Sequence, residues 1–259
     1  MKKLFFVLLL ICKLSISFGQ SKAGSICKEK HFQVSIGINQ IKENNLHPKV
    51  HTGIGYELNY GFTRINKNLS SFQTNFLYSK VKTVFENHPS SINLHFKLNY
   101  EYSFLIQKTN NYTFYSGIAT GLNYAISHYP NWDDSHLYWA NFIDLKFSNR
   151  LYYQLSNDDS FIVCLQLPIL FLVIRPEVDR QYKIDDLSFE GLITNFHANP
   201  QLGTWNKNRA IQSSLEYKPK SKAKFKTGFL YQFSYTKLDT SKSNSFSTIQ
   251  HLLGLKLYL

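Results

Sequence analysis

Residues 245–259 read SFSTIQHLLGLKLYL, and their alternation decides how the rest of the chain is read. Ile249, Leu253, Leu255, Leu257 and Leu259 share one parity; Thr248, Gln250, Gly254, Lys256 and Tyr258 share the other, with Leu252 among them. Successive side chains of a strand point to opposite faces, so this segment is a wall with a greasy side and a polar side. From Ile249 to Leu259, His251 is the one polar residue on the apolar face.

Working back toward the N-terminus, the same period-two pattern recurs in nine further segments. Phe32, Val34, Ile36 and Ile38 oppose Gln33, Ser35, Gly37 and Asn39. Ile54, Tyr56, Leu58, Tyr60 and Phe62 oppose Gly53, Gly55, Glu57, Asn59 and Gly61, and Phe72, Phe76 and Tyr78 oppose Gln73, Asn75 and Ser79. The longest run sets Ile92, Leu94, Phe96, Leu98, Tyr100, Tyr102 and Phe104 against Asn93, His95, Lys97, Asn99, Glu101 and Ser103. Further strands are expected near 114–126, 139–151, 160–173, 205–217 and 225–235. In the 160–173 strand, Phe161, Val163, Leu165, Leu167, Ile169 and Phe171 form the apolar face, and Pro168 on the other face calls for a bulge or a strand end.

Between these segments, short polar turns at 66–68, 108–111, 157–159 and 218–222 alternate with longer loops at 42–49, 86–90, 129–135, 175–203 and 239–244. Long strands that are apolar on one face, an even strand count and loops of alternating length predict a closed antiparallel up-and-down transmembrane β-barrel of about ten strands, all-β, with both termini on the periplasmic side. A soluble exported β-sandwich is the alternative.

Composition agrees with an exported membrane protein. Lys2 and Lys3 precede an apolar run from Leu4 to Ile11, and a small-residue stretch ends near Gly19-Gln20, so residues 1–20 read as a cleaved signal peptide. Residues 21–31 are expected to be an N-terminal periplasmic segment and 32–259 the barrel. No segment reaches the ~18 uninterrupted apolar residues of a membrane-crossing helix. Aromatic residues make up 16% of the chain and charged residues only 18%, a balance that suits interfacial belts better than a soluble surface. Mean hydropathy is −0.26 and decides nothing, because a barrel averages its two faces. The net charge of +12 suits rims facing anionic headgroups or lipopolysaccharide phosphates. No nucleic-acid motif is present. Cys27 and Cys164 are expected to stay unpaired.

The expected lumen carries Glu57, His95, Lys97, Glu101, Asp144, Lys146, Arg150, Glu216, Lys224, Lys226 and Lys256, which read as a charge network filling a narrow interior. His95, His128, His136 and His251 have no carboxylate or Cys partners at metal-ligand spacing, and neither metal nor cofactor is expected. The acids and aromatics of 175–203, among them Glu177, Asp179, Asp185, Asp186, Glu190, Phe189 and Phe196, make that loop a candidate for recognition or for a lid. Trp132, Trp139 and Trp205 suit an interfacial belt.

Over nearly its whole length the chain resembles the small outer-membrane β-barrel proteins of Gram-negative bacteria. The Gly19-Gln20 signal end is similar to those of Bacteroidota. Gly254, Leu257 and the final Leu259 resemble the signal read by the barrel-assembly machinery, with Tyr258 one place before the usual terminal aromatic. Lys146-Phe147-Ser148-Asn149 resembles the His-aromatic-Ser-Asn motif of lipid A 3-O-deacylases, with Lys146 in place of the base histidine and Ser148 on the inward parity. The omptin proteases share the strand count, but no matching motif is found. These resemblances imply a barrel in contact with outer-membrane lipid and lipopolysaccharide, with a structural or surface-recognition role and a largely occluded polar lumen. A lipid-modifying hydrolase or protease, or a narrow small-solute channel, are the alternatives.

Overall fold

A computed structural model of the chain describes residues 27–44, 47–82, 90–130, 136–155, 159–175, 188–220, 226–239 and 245–259. The signal segment lies outside the described residues. The alternating segments become β1 (Cys27–Glu43), β2 (His47–Ile65), β3 (Asn68–Lys82), β4 (Ser91–Lys108) and β5 (Tyr112–Tyr129). They continue as β6 (His136–Trp139), β7 (Asn141–Gln154), β8 (Ser160–Ile174), β9 (Gln201–Thr204), β10 (Asn208–Lys218), β11 (Lys226–Asp239) and β12 (Ser245–Tyr258). Among the described residues one helix, α1 (Phe189–Phe196), precedes β9.

Each strand pairs antiparallel with its neighbours, and the sheet closes into one ring: β1 pairs with β12, and β8 pairs with β10. β6 and β7 are one stave, because Ile126↔Trp139 and Asn123↔Phe142 lie on a single register. β9 continues the line of β10 along β8, offset by the turn at Trp205–Lys207. The result is a closed ten-stave barrel. Closure is what backbone chemistry demands of a sheet in hydrocarbon, where an open edge would leave N–H and C=O groups without partners.

The two faces separate as the alternation requires. Val34, Ile36, Ile38, Ile54, Tyr56, Leu58, Phe76, Phe147, Phe229 and Leu253 are exposed on the outside. Gln33, Ser35, Asn39, Glu57, Asn59, Ser79, Asn93, Glu101, Asp144 and Gln250 are buried inside. Apolar groups outward and polar groups inward is the reverse of a soluble domain, and it removes the sandwich alternative. His251, the misfit on the outer face, is accommodated by the Tyr231 hydroxyl 2.8 Å from its Nδ1 and by the Phe233 ring at 5.1 Å.

Several local details depart from the sequence reading. β1 starts at Cys27, so residues 27–31 belong to the wall and pair with β2 instead of forming a separate segment. The expected loop at 42–49 shrinks to 44–46, since β1 runs to Glu43 and β2 starts at His47. In β8 a bulge opposite Leu145/Lys146 leaves both Ile169 and Leu170 exposed and turns Phe171 inward, where it is fully buried. Phe171 had been assigned to the outer face; Pro168, which cannot donate to the ladder, sits at this irregularity. Gly37 tolerates no side chain, because a Cβ there would lie 1.8 Å from the His251 carbonyl oxygen on β12.

The described part of the long loop does not enter the barrel. The Ser188 hydroxyl caps α1 by accepting the Gly191 N–H at 3.1 Å. Asn199, at φ 49°, then turns the chain back toward β9 in the left-handed region that Asn tolerates. The α1 end packs on the outer wall: the Phe196 ring meets Trp139 at 5.0 Å, the Phe196 carbonyl accepts Asn141 Nδ2 at 3.1 Å, and His197 meets the Tyr124 hydroxyl at 2.8 Å. Trp139 is therefore buried beneath the helix and is not a belt residue, whereas Trp205 is exposed. Trp132 lies outside the described residues.

A charge on the outer wall should be costly. Leu253→Arg, near the middle of β12, is expected to destabilise the barrel by about 2–4 kcal/mol, and Leu253→Phe by far less. Urea titration of folding into phospholipid vesicles measures both.

Candidate functional site: the barrel lumen

Glycine and short polar residues on the inward parity leave room for long side chains to reach across the lumen. Arg150 on β7 donates to Glu101 on β4 at 2.5 Å, and the Ser103 hydroxyl donates to the same carboxylate at 3.0 Å. Lys146 reaches Asn99 of β4 at 2.8 Å, Gln212 of β10 at 3.2 Å and its own strand's Asp144 at 3.4 Å. Lys97 crosses from β4 to Gln250 of β12 at 3.2 Å. Gln250 also accepts from the Ser234 hydroxyl and lies 3.4 Å from His95. Glu57 contacts Gln33 at 3.5 Å, and Gln33 donates to Gln232 at 2.8 Å.

Toward the turn end, Lys256 pairs with Glu216 at 2.9 Å, and the Tyr258 hydroxyl donates to the other oxygen of that carboxylate. Lys218 lies over the Tyr258 ring at 3.8 Å and pairs with Glu29 at 2.7 Å. Of the expected set, Lys226 stands exposed at the strand start and joins no described pair, and Lys224 lies outside the described residues. The remaining inward cations, Lys97, Lys146, Arg150 and Lys256, face the four carboxylates Glu57, Glu101, Asp144 and Glu216, so this part of the lumen is close to neutral. Between them lies a cavity of about 130 Å³, lined by Lys97, Lys146, Gln166, Gln212, Gln232 and Gln250 among others.

The loop end of the lumen differs in kind. Ile41, Val81, Ala125, Phe142, Phe171, Val173, Ala210, Leu238 and Phe246, contributed by β1, β3, β5, β7, β8, β10, β11 and β12, form one buried apolar cluster inside the barrel together with Ala140, which lies between β6 and β7. At the same end, Arg175 Nη2 meets both carboxylate oxygens of Glu43 at 2.6 and 2.7 Å, and Nη1 donates to the Leu238 carbonyl at 3.2 Å. The Arg175 guanidinium lies 5.7 Å from the Phe246 ring centre. Reasoning from sequence missed this layer. Its signal was present in the parity: Ile41 follows Asn39, Phe142 precedes Asp144, and Phe246 precedes Thr248 on the inward face. Glu43 and Arg175 had both been assigned to loops.

Ser148 is fully buried in the lumen, where Gln166 Nε2 lies 3.4 Å from its hydroxyl, so it does not face the lipid. Among the described residues no three His, Cys, Asp or Glu side chains come together in a way that could hold a metal ion. Cys27 and Cys164 are free thiols. Asp133, Asp134 and Asp158 lie outside the described residues, as do Glu177, Asp179, Asp185 and Asp186.

A closed barrel with an apolar exterior and a polar interior is the architecture of the outer-membrane β-barrel proteins. No family profile matches the chain, and no characterised protein matches its sequence. Among solved structures it is similar to the β-domain of the Bordetella autotransporter BrkA, with a TM-score of 0.42 and 8% identity over 89% of this chain and 98% of that one. It is also similar to the translocator domain of the autotransporter NalP from Neisseria meningitidis (0.38, 8%, 98% and 96%) and to Neisserial surface protein A (0.32, 11%, 88% and 95%).

The Glu101–Arg150 pair offers a direct test of the lumen's energetics. Glu101→Ala strands a buried guanidinium and is expected to cost about 3–5 kcal/mol, and Glu101→Ala/Arg150→Met should recover most of that loss. Unfolding titrations of both variants in vesicles check it.

Proposed function

We propose that this chain is an exported outer-membrane barrel with a closed lumen, serving a structural or surface-recognition role through its wall and its outer rim. Residues 1–20 supply the export signal, and β12 is the strand offered to the assembly machinery. The observation that carries this reading is the apolar cluster across the loop end. A layer of Phe, Leu, Ile and Val side chains inside a barrel excludes hydrated ions, because an ion would have to shed its water with nothing polar to replace it. The crossing contacts of Lys97 and Lys146 below that layer obstruct the same path. The lumen groups then hold the staves together: paired charges and hydrogen bonds engage most of the polar side chains that alternation forces inward, while Asn59 Oδ1, His95 Nε2 and Asn123 Nδ2 are buried without a hydrogen-bond partner among the described residues.

Conductance tests this. The full chain, purified and inserted into planar bilayers in potassium chloride, should give no current steps. Phe142→Ala/Phe171→Ala/Phe246→Ala, which hollows the apolar layer, should give measurable current. Steady unitary steps from the unaltered protein would overturn the closed-lumen reading in favour of a small-solute channel.

A further inference from the structure

On the outer wall at the loop end, the registers align four residues on neighbouring staves: Arg209 of β10 pairs with Lys237 of β11, Lys237 with Ser247 of β12, and Ser247 with Lys42 of β1. Cross-strand partners point to the same side, so all four side chains project outward in one row. Neighbouring staves lie ~4.8 Å apart, which makes the row roughly 14 Å long. Arg209 and Lys237 are directly opposed, and like charges in that position repel. Asp239, two residues along β11, pairs with Lys237 at 3.0 Å and offsets part of this. Among the described residues, Arg209 and Lys42 form no ion pair. Lys80 and Lys82, exposed on the outer face of β3, extend the basic sector. On the opposite side of the rim, over β5 and β7, the outer wall is covered by α1 and carries Tyr124, Trp139 and Asn141 instead.

Immediately below the row the wall turns apolar and aromatic. Ile211, Tyr235 and Ile249 form the next register line, which ends on Gln40 of β1, and in the one after it Phe233 and Ile38 flank His251, with Ser213 of β10 at its other end. A basic row above an apolar wall, at the end of the barrel that carries the longer loops, matches a ligand with anionic oxygens at the membrane surface and hydrocarbon beneath them.

We propose that Arg209, Lys237, Ser247 and Lys42 form a binding site for a phosphorylated glycolipid of the outer leaflet. The Arg209 fork and the Lys237 ammonium take one phosphate, Lys42 with the Ser247 hydroxyl takes a second, and the acyl chains lie against Ile211, Tyr235, Phe233 and Ile249. The planar guanidinium matches phosphate oxygens two at a time, and the bound anion removes the repulsion between the opposed cations. The span of the row suits a headgroup with a phosphate at either end better than a single phosphate. The site requires the loop end to face the outer leaflet and is independent of whether the lumen conducts.

The test is native mass spectrometry of the full chain in non-ionic detergent with doubly phosphorylated lipid A, using heat-dependent gel mobility to check that each variant is folded. Unaltered protein should retain the lipid. Arg209→Gln/Lys237→Gln should lose about tenfold or more in affinity, since charge-assisted hydrogen bonds are removed. Asp239→Asn, which removes the competing carboxylate, should bind more tightly, an outcome that a misfolded protein cannot produce. Dephosphorylated lipid A, which offers neither phosphate, should bind unaltered protein at least as weakly as lipid A binds the double variant. Equal retention by unaltered protein and the double variant would overturn the site. A conducting barrel that still retains lipid A would overturn only the closed-lumen reading.

Discussion

The constraint on which the rest of this structure depends is backbone hydrogen bonding in a medium without water. A strand in hydrocarbon has to find partners along both edges, and the β1–β12 and β8–β10 pairings close the circuit so that no stave has a free side. Once the sheet is closed, the period-two geometry of the strand sends every second side chain into the lumen whatever its chemistry. The interior is therefore a consequence of the wall, and its polar groups have to be satisfied where the pleat puts them.

Two physical solutions to that problem share one lumen. In the middle and toward the turns, carboxylates and cations are matched and long amides bridge them, with Lys146 touching groups on three staves. Pairing of this kind avoids the large penalty of a buried lone charge more than it adds stability outright. At the loop end the problem is avoided by making the inward residues apolar, so that they pack against one another as in a soluble core. The Glu43–Arg175 pair lies at that end and ties the start of the long loop to β1. This division leaves the lumen near neutral and the chain's surplus positive charge on the rims, where it can meet anions at the membrane surface.

Much of this was legible in the chain itself, for a definite reason: alternation is a local property. The ten segments, the inward placement of Glu57, Glu101, Asp144 and Arg150, the outward placement of Ile36 and Leu253, and the irregularity signalled by Pro168 all follow from parity within a few residues. Parity breaks where a bulge inserts a residue, which is why Phe171 changed sides. It also has no power over segments without a strand period, so the path of the 175–203 loop and the burial of Trp139 beneath α1 could not be read from it.

The sequence by itself determined that this is a barrel of about ten staves and, wherever the strand period is unbroken, which side chains face in or out, because those depend on neighbours along one strand. Only the tertiary structure decided which of those side chains meet. Stagger and closure bring Lys97 to Gln250 and Arg150 to Glu101, collect ten apolar residues from eight staves into one layer, and line up Arg209, Lys237, Ser247 and Lys42 on four staves. Register between strands is set by the whole sheet at once, through pairings between residues up to two hundred positions apart, and no local pattern carries that information.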